Sequence, residues 1–204
     1  MRSVYTGILI IGICFCTQHT FPQHPVFRWD VKTLTDNSGI NWPAKLASAH
    51  HSRLASIEGL TTKDVQFNSC HDVGHDTRRS DEQRVVKLKV RLLKVKSEAN
   101  DNDYHIVIQS LTSSSHTMVA EIPDPGDEEL QGDEFTELRN VFTSLRSKID
   151  SLLNGHVTGT LKSFPGNIIV TIYGIPFWDC KHGGGVVGAS KDFREIHPVL
   201  EIDA

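Results

Sequence analysis

The apolar residues between Arg84 and Ile202 change their period twice, and few folds accept that pattern. Val86, Leu88, Val90 and Leu92 alternate with Lys87, Lys89 and Arg91. A period of two turns one face of a strand to a core and the other to water. Asp103–Leu111 predicts a second strand, with Tyr104, Ile106 and Ile108 on one face, and Thr117–Ile122 a third, stopped by Pro123 and Pro125. Glu98–Asn102 and Ser113–Ser115 supply the turns between them. The period then lengthens. Phe135, Leu138, Phe142, Leu145, Ile149 and Leu152 recur every three or four residues, which predicts one amphipathic helix over Asp133–Asn154. Asp133 is placed to cap its start, and Gly155 follows its end. Alternation returns in Asn167–Gly174 and in Arg194–Ile202, separated by the glycine-rich stretch Gly183–Gly188. Pro198 inside the last strand demands an edge position or a bulge.

Three strands, a helix and further strands resemble the OB-fold, a five-stranded Greek-key barrel that offers one face and its loops to a ligand. The expected fold class is therefore mainly β (α+β), an OB-fold-like Greek-key barrel with one long helix over residues 84–204. Residues 17–83 read as an irregular, polar N-terminal region. One short helix is expected there, within Trp42–Leu60. Pro43 would stand in its first turn, Leu46, Leu54 and Ile57 would share a face, and Gly59 would mark its end. Asn68–Gln83 reads as a loop.

The first sixteen residues read as a processing signal. Arg2 precedes an apolar run, Gly7–Cys16, that is too short for a bilayer, which needs about 20 apolar residues. It fits the apolar segment of a secretory signal peptide. Cys14 and Cys16 are small residues two apart, so cleavage is expected after Cys16, giving a secreted or periplasmic protein. No other stretch has the length and apolarity of a transmembrane segment. Export would leave Cys70 and Cys180, which an oxidising compartment favours as a disulfide. Zinc ligation is the rival reading, since His71 and His75 flank Cys70 and His182 follows Cys180. That spacing fits no common zinc module, and two free thiols are the third alternative.

Twenty-one Lys and Arg against 25 Asp and Glu leave a net charge of −4. A non-specific DNA binder needs a strong positive field, so there is no strong nucleic-acid signature. Nucleophile-elbow, phosphate-loop, dinucleotide and zinc-protease motifs are absent. The densest polar constellation is C-terminal. Glu195 and His197 are two apart in a strand and share a face. Asp179 and His182, from the preceding loop, could meet them. Asp179, His182, Glu195 and His197 are thus candidate ligands for a divalent metal, the only cofactor the residues suggest. The alternative is a pin, in which the imidazoles hydrogen-bond a loop to a strand end. His105 lies opposite in parity to the apolar set of its strand and is expected on a surface or groove.

Five segments carry a family resemblance: Trp29-Asp30-Val31-Lys32-Thr33, Asp103-Tyr104-His105-Ile106-Val107-Ile108, Met118-Val119-Ala120-Glu121-Ile122-Pro123, Asp179 with His182-Gly183, and Glu195-Ile196-His197-Pro198-Val199-Leu200. They resemble a family of secreted bacterial proteins of unknown function, which implies export and no particular activity. Trp178 and Cys180 depart from the family's F-F-D-x-x-H-G pattern. A second resemblance, to thermonuclease-like OB-folds, rests on Asp101-Asn102-Asp103-Tyr104 at a hairpin. It implies a metal-dependent phosphodiesterase with arginines among Arg78, Arg79, Arg84 and Arg91, although Asn and Asp are also ordinary turn residues. Three functions follow: an OB-like domain that binds an unknown ligand or protein partner, a metal-dependent hydrolase, and a structural envelope protein. Mass spectrometry of the exported protein should give an N-terminus near Thr17 and a Cys70–Cys180 bridge. Two free thiols would remove the bridge, which on the chain-entropy model stabilises by roughly 4–5 kcal/mol.

Overall fold

The computed structural model describes residues 28–36, 39–60, 78–179, 186–190 and 192–204. The expected signal segment, Cys70, Cys180 and His182 lie outside the described residues. Six strands form one sheet: β1 (Val86–Ser97), β2 (Tyr104–Ser110), β3 (Thr117–Ile122), the two-residue β4 (Lys162–Ser163), β5 (Ile169–Trp178) and β6 (Arg194–Asp203). The order is β2-β3-β6-β5-β1-β4, and β1 also pairs with β2, which closes five strands into a barrel. All pairings are antiparallel except β3 with β6. This is the OB-like barrel that the alternating pattern predicts.

β1 is long because it serves two partners. Val86–Arg91 pairs with β5 and Val90–Ser97 with β2. A register shift between Leu92 and Lys94 lets the strand bend and returns Val95 to the interior after Leu92. The inward sets, including Leu88, Val90, Ile106, Ile108, Met118, Ala120, Val170 and Ile172, fill one continuous core. β6 lies between β3 and β5, but β3 pairs only with Glu195 and Ile196, so Pro198 stands beyond that pairing. It lies where the β5–β6 register shifts, between the Gly174 and Pro176 pairings. A side chain at Gly174 would meet Ile196, and its Cβ would stand 2.7 Å from the Pro198 carbonyl oxygen. Only glycine allows the strands to approach so closely there.

Three short helices precede the barrel: α1 (Trp29–Thr33), α2 (Trp42–His50) and α3 (Ile57–Leu60). The single helix expected in Trp42–Leu60 is thus two. Between them Ala55 pairs with Leu88 of β1 and its amide donates to the Lys87 carbonyl at 2.8 Å, which requires extended backbone. The long helix, α4, spans Thr136–Leu153 and follows a 3₁₀ turn at Asp133–Phe135. Leu138, Phe142, Leu145, Ile149 and Leu153 are buried, and the helix packs on β6 and β3. Asp133 does not cap it, because the preceding turn places Phe135 at the cap. At the other end Asn154, not Gly155, takes the left-handed conformation, with φ 58°. No helix among the described residues is long and apolar enough to cross a membrane.

Among the described residues the barrel is most deeply covered on one side. β1 alternates between buried and partly or fully exposed residues over most of its length. β3 and the adjoining stretches of β2, β5 and β6 are buried on both faces. An outer layer therefore lies against them, formed by α1 and the described residues just before β6. The Arg28 guanidinium donates twice to Glu82, at 2.7 and 2.6 Å, and Glu82 also accepts from the Trp178 amide at 2.9 Å. Arg78 donates to Asp36 and to the Val31 carbonyl. Phe142→Ala should destabilise the protein by about 3–5 kcal/mol in urea unfolding, whereas Ser144→Ala on the exposed side of α4 should change it by less than about 0.5.

Candidate functional site

Under this outer layer lies a row of ionisable side chains that crosses three strands. His105 is the direct cross-strand partner of Glu121. The parallel register that pairs Ala120 with Ile196 carries Glu121 on toward His197. All three point away from the barrel core, since Ile106, Ala120, Ile122 and Ile196 between them point in. Asp103 joins at the start of β2, Glu195 in β6, Asp179 past the end of β5, and Lys32 descends from α1. Every one of these side chains is buried.

The distances define two connected ends. At one end His105 Nδ1 meets Glu121 Oε1 at 2.8 Å, and its Nε2 meets the Val187 carbonyl at 3.0 Å. A carbonyl and an ionised carboxylate both accept, and although burial opposes the charged ring, the hydrogen bond to Glu121 raises the His105 pKa above its ordinary value. At the other end His197 Nδ1 faces Glu195 Oε1 at 3.0 Å and Glu121 Oε2 at 2.9 Å, while its Nε2 lies 3.2 Å from Asp103 Oδ2. The Lys32 ammonium stands 3.4 Å from Glu195 and 3.7 Å from Glu121. Phe177 closes the group from β5, with Lys32 over its ring and His197 at its edge.

Burial and charge pull these groups in opposite directions. Burial works against the Lys32 charge, but Glu195, Asp179 and Glu121 outweigh it and hold the ammonium well above its usual pKa. Burial likewise opposes ionisation of Glu121, but Lys32 and the hydrogen bonds from His105 and His197 keep it well below the carboxylate range. For His197, burial and the Lys32 charge lose to Asp103, Glu121 and Glu195, and its pKa is raised. Asp103 goes the other way, pushed up by burial to about 7. An opposed set of shifts in one enclosed place is common at functional sites.

Of the four candidate ligands, Glu195 and His197 come together as the period of two requires. Asp179 is buried nearby and contributes to the fields on Lys32 and Glu195. His182 lies outside the described residues. His197 facing carboxylates through both ring nitrogens has the character expected of a pin, yet its partners include Asp103 and Glu121, which the C-terminal pattern alone does not reveal. His105 is buried rather than set on an open groove, because Glu121 and the Val187 carbonyl claim its two nitrogens. The available signals were Glu121 as a lone charge in an apolar strand, and Asp103 and His105 two apart on one face. The five segments that carry the family resemblance each place a residue here: Lys32, Asp103 with His105, Glu121, Asp179, and Glu195 with His197. Comparison with models of known families, with curated proteins and with solved structures finds no match.

Removing one member of a buried ion network strands the rest, which typically costs about 3–5 kcal/mol. Lys32→Met should show that loss in urea unfolding at neutral pH with chelator present. Because the folded pKa of Lys32 is raised, its contribution is complete below about pH 10.4 and fades as pH rises through the folded value. The gap between variant and wild type should therefore narrow only in strong alkali.

Proposed function

We propose that the chain is a secreted OB-type binding domain that engages its ligand at the solvent-facing rim of the covered β2–β3 face, beside Glu98 and Val187. The observation that carries the reading is the location of the ionisable row. OB barrels bind on the strand 2–3 face between the loop joining strands 1 and 2 and the loop joining the last two strands. In this barrel the first of those loops is Glu98–Asp103, and the described residues of the second include Val187; the His105 end of the row lies between them, with Nδ1 3.3 Å from the Glu98 carboxylate and Nε2 3.0 Å from the Val187 carbonyl. Two side chains at its rim reach solvent, Val187 at 47% exposure and Glu98 at 29%. The net charge of −4 and the carboxylates of the row favour a neutral or cationic ligand over a nucleic acid. Arg78 is committed to Asp36, and Arg91 to Asn167 and Gln109 at the far end of β2, so neither offers a phosphate clamp beside Asp103. The signal-like N-terminus supports export.

A metal-dependent hydrolase is the second reading. One specific observation favours it: ligand atoms of Asp103, Glu121 and His197 lie within 4.8 Å of one another. Titration of labelled protein with oligolysine, a neutral oligosaccharide and a single-stranded dT oligomer distinguishes the two. The expected result is amide shifts confined to β2, β3 and the connection from β5 to β6 with one of the first two probes. Shifts elsewhere on the barrel, or none with any probe, would overturn the binding reading. Metal-dependent turnover of a phosphodiester, lost in Glu195→Gln, would put the hydrolase in its place.

A further inference from the structure

We propose that Asp103, Glu121 and His197 hold a divalent transition-metal ion, of the zinc or manganese kind, through Asp103 Oδ2, a carboxylate oxygen of Glu121 and His197 Nε2. This goes beyond the binding reading and does not rest on it, since the centre would exist whatever the domain recognises. It also moves the metal away from the Asp179, His182, Glu195 and His197 set that spacing alone suggests.

Two independent observations carry it. The first is a pair of unsatisfied atoms. Asp103 Oδ2 and His197 Nε2 are buried and face each other at ion-pair distance, 3.2 Å, without hydrogen-bond geometry, and neither has a hydrogen-bond partner elsewhere among the described residues. Buried polar atoms left this way need an explanation, and an ion between them is one. The second is the way each proposed ligand is held by its other polar atom. His197 Nδ1 faces Glu195 Oε1 at 3.0 Å and Glu121 Oε2 at 2.9 Å. Glu121 Oε1 accepts from His105 Nδ1 at 2.8 Å. Asp103 Oδ1 accepts from the Asp124 amide at 3.0 Å. Metal centres are built in this manner, with outer partners fixing the orientation of every ligand and a carboxylate orienting the histidine.

The donor set selects the ion. Two carboxylates and an imidazole suit zinc or manganese better than calcium, which takes six to eight oxygens. Three protein ligands leave a position for water or for a group of a bound ligand. Lys32 contacts Glu195 and Glu121 from the α1 side and balances the carboxylate that orients His197.

The test uses the whole exported protein, stripped with chelator. Mn²⁺ added below stoichiometry should broaden the amides of Asp103, Glu121 and His197 before any others. Zn²⁺ titrated by calorimetry should bind at least about tenfold more weakly to Asp103→Asn. Glu195→Gln keeps all three ligands and removes the charge of one of the two carboxylates that face His197 Nδ1, and it should weaken binding by about 10-fold. His50→Ala, a surface histidine beside Glu201, should leave the affinity unchanged. Broadening centred elsewhere, such as on the histidine-rich segments, overturns the proposal. So does full Zn²⁺ affinity in a folded Asp103→Asn. Should that variant fail to fold by circular dichroism, the wild-type broadening pattern and Glu195→Gln decide, and unchanged affinity in the latter counts against the centre.

Discussion

Glu121, Glu195, Asp103 and Asp179 leave the barrel on its outer side and never reach water, so their charge has to be answered inside the protein. Lys32 and two imidazoles answer it. A carboxylate can remain ionised in a dry site only when it is paired and fully hydrogen-bonded. That requirement ties α1 to the barrel, because the ammonium it delivers has no substitute among the described residues of the row except the histidines. Arg28 with Glu82 and Arg78 with Asp36 repeat the same device on either side of Lys32.

The barrel supplies the geometry. Antiparallel pairing of β2 with β3 sets His105 opposite Glu121, and parallel pairing of β3 with β6 extends that line to His197. Side chains two apart in a strand share a face, so Asp103 and Glu195 fall beside this line without further adjustment. The interior face of the same strands is apolar apart from Ser110 at the end of β2, and it carries the packing with α4. Stability and chemistry are thus divided between the two faces of one sheet. A change such as Phe142→Ala acts on the first and leaves the ionic row in place.

The outer layer gives the row its electrical character. Trp178 and Phe177 present ring faces to Arg194, Arg28 and Lys32, which lets cations sit close to the row in a medium with little water. In such surroundings small differences in placement separate the behaviour of similar groups. Glu121, touched by two histidines and a lysine, is held ionised, while Asp103, a few ångströms away, is driven toward its neutral form. Groups of the same kind whose pKa values are pushed apart can divide the work of gripping an ion or a polar ligand.

Much of this was legible in the sequence. The switch of period from two to three-and-four and back placed the three central strands and the long helix, because each periodicity is a direct consequence of backbone geometry. Glu195 and His197 were visible as one face of a strand for the same reason. Two expectations differ from the fold, the cap at Asp133 and the unbroken helix in Trp42–Leu60, since both depend on contacts with the turn before α4 and with β1. The remainder of the site could not be read along the chain. Lys32, Asp103, His105 and Glu121 lie far in sequence from their partners in β6, and alternation alone cannot say whether an outward residue meets water or another layer. The sequence by itself determined which faces of the strands are apolar. Only barrel closure and the docking of α1 decided that the polar face would be buried, and with it which charges had to meet.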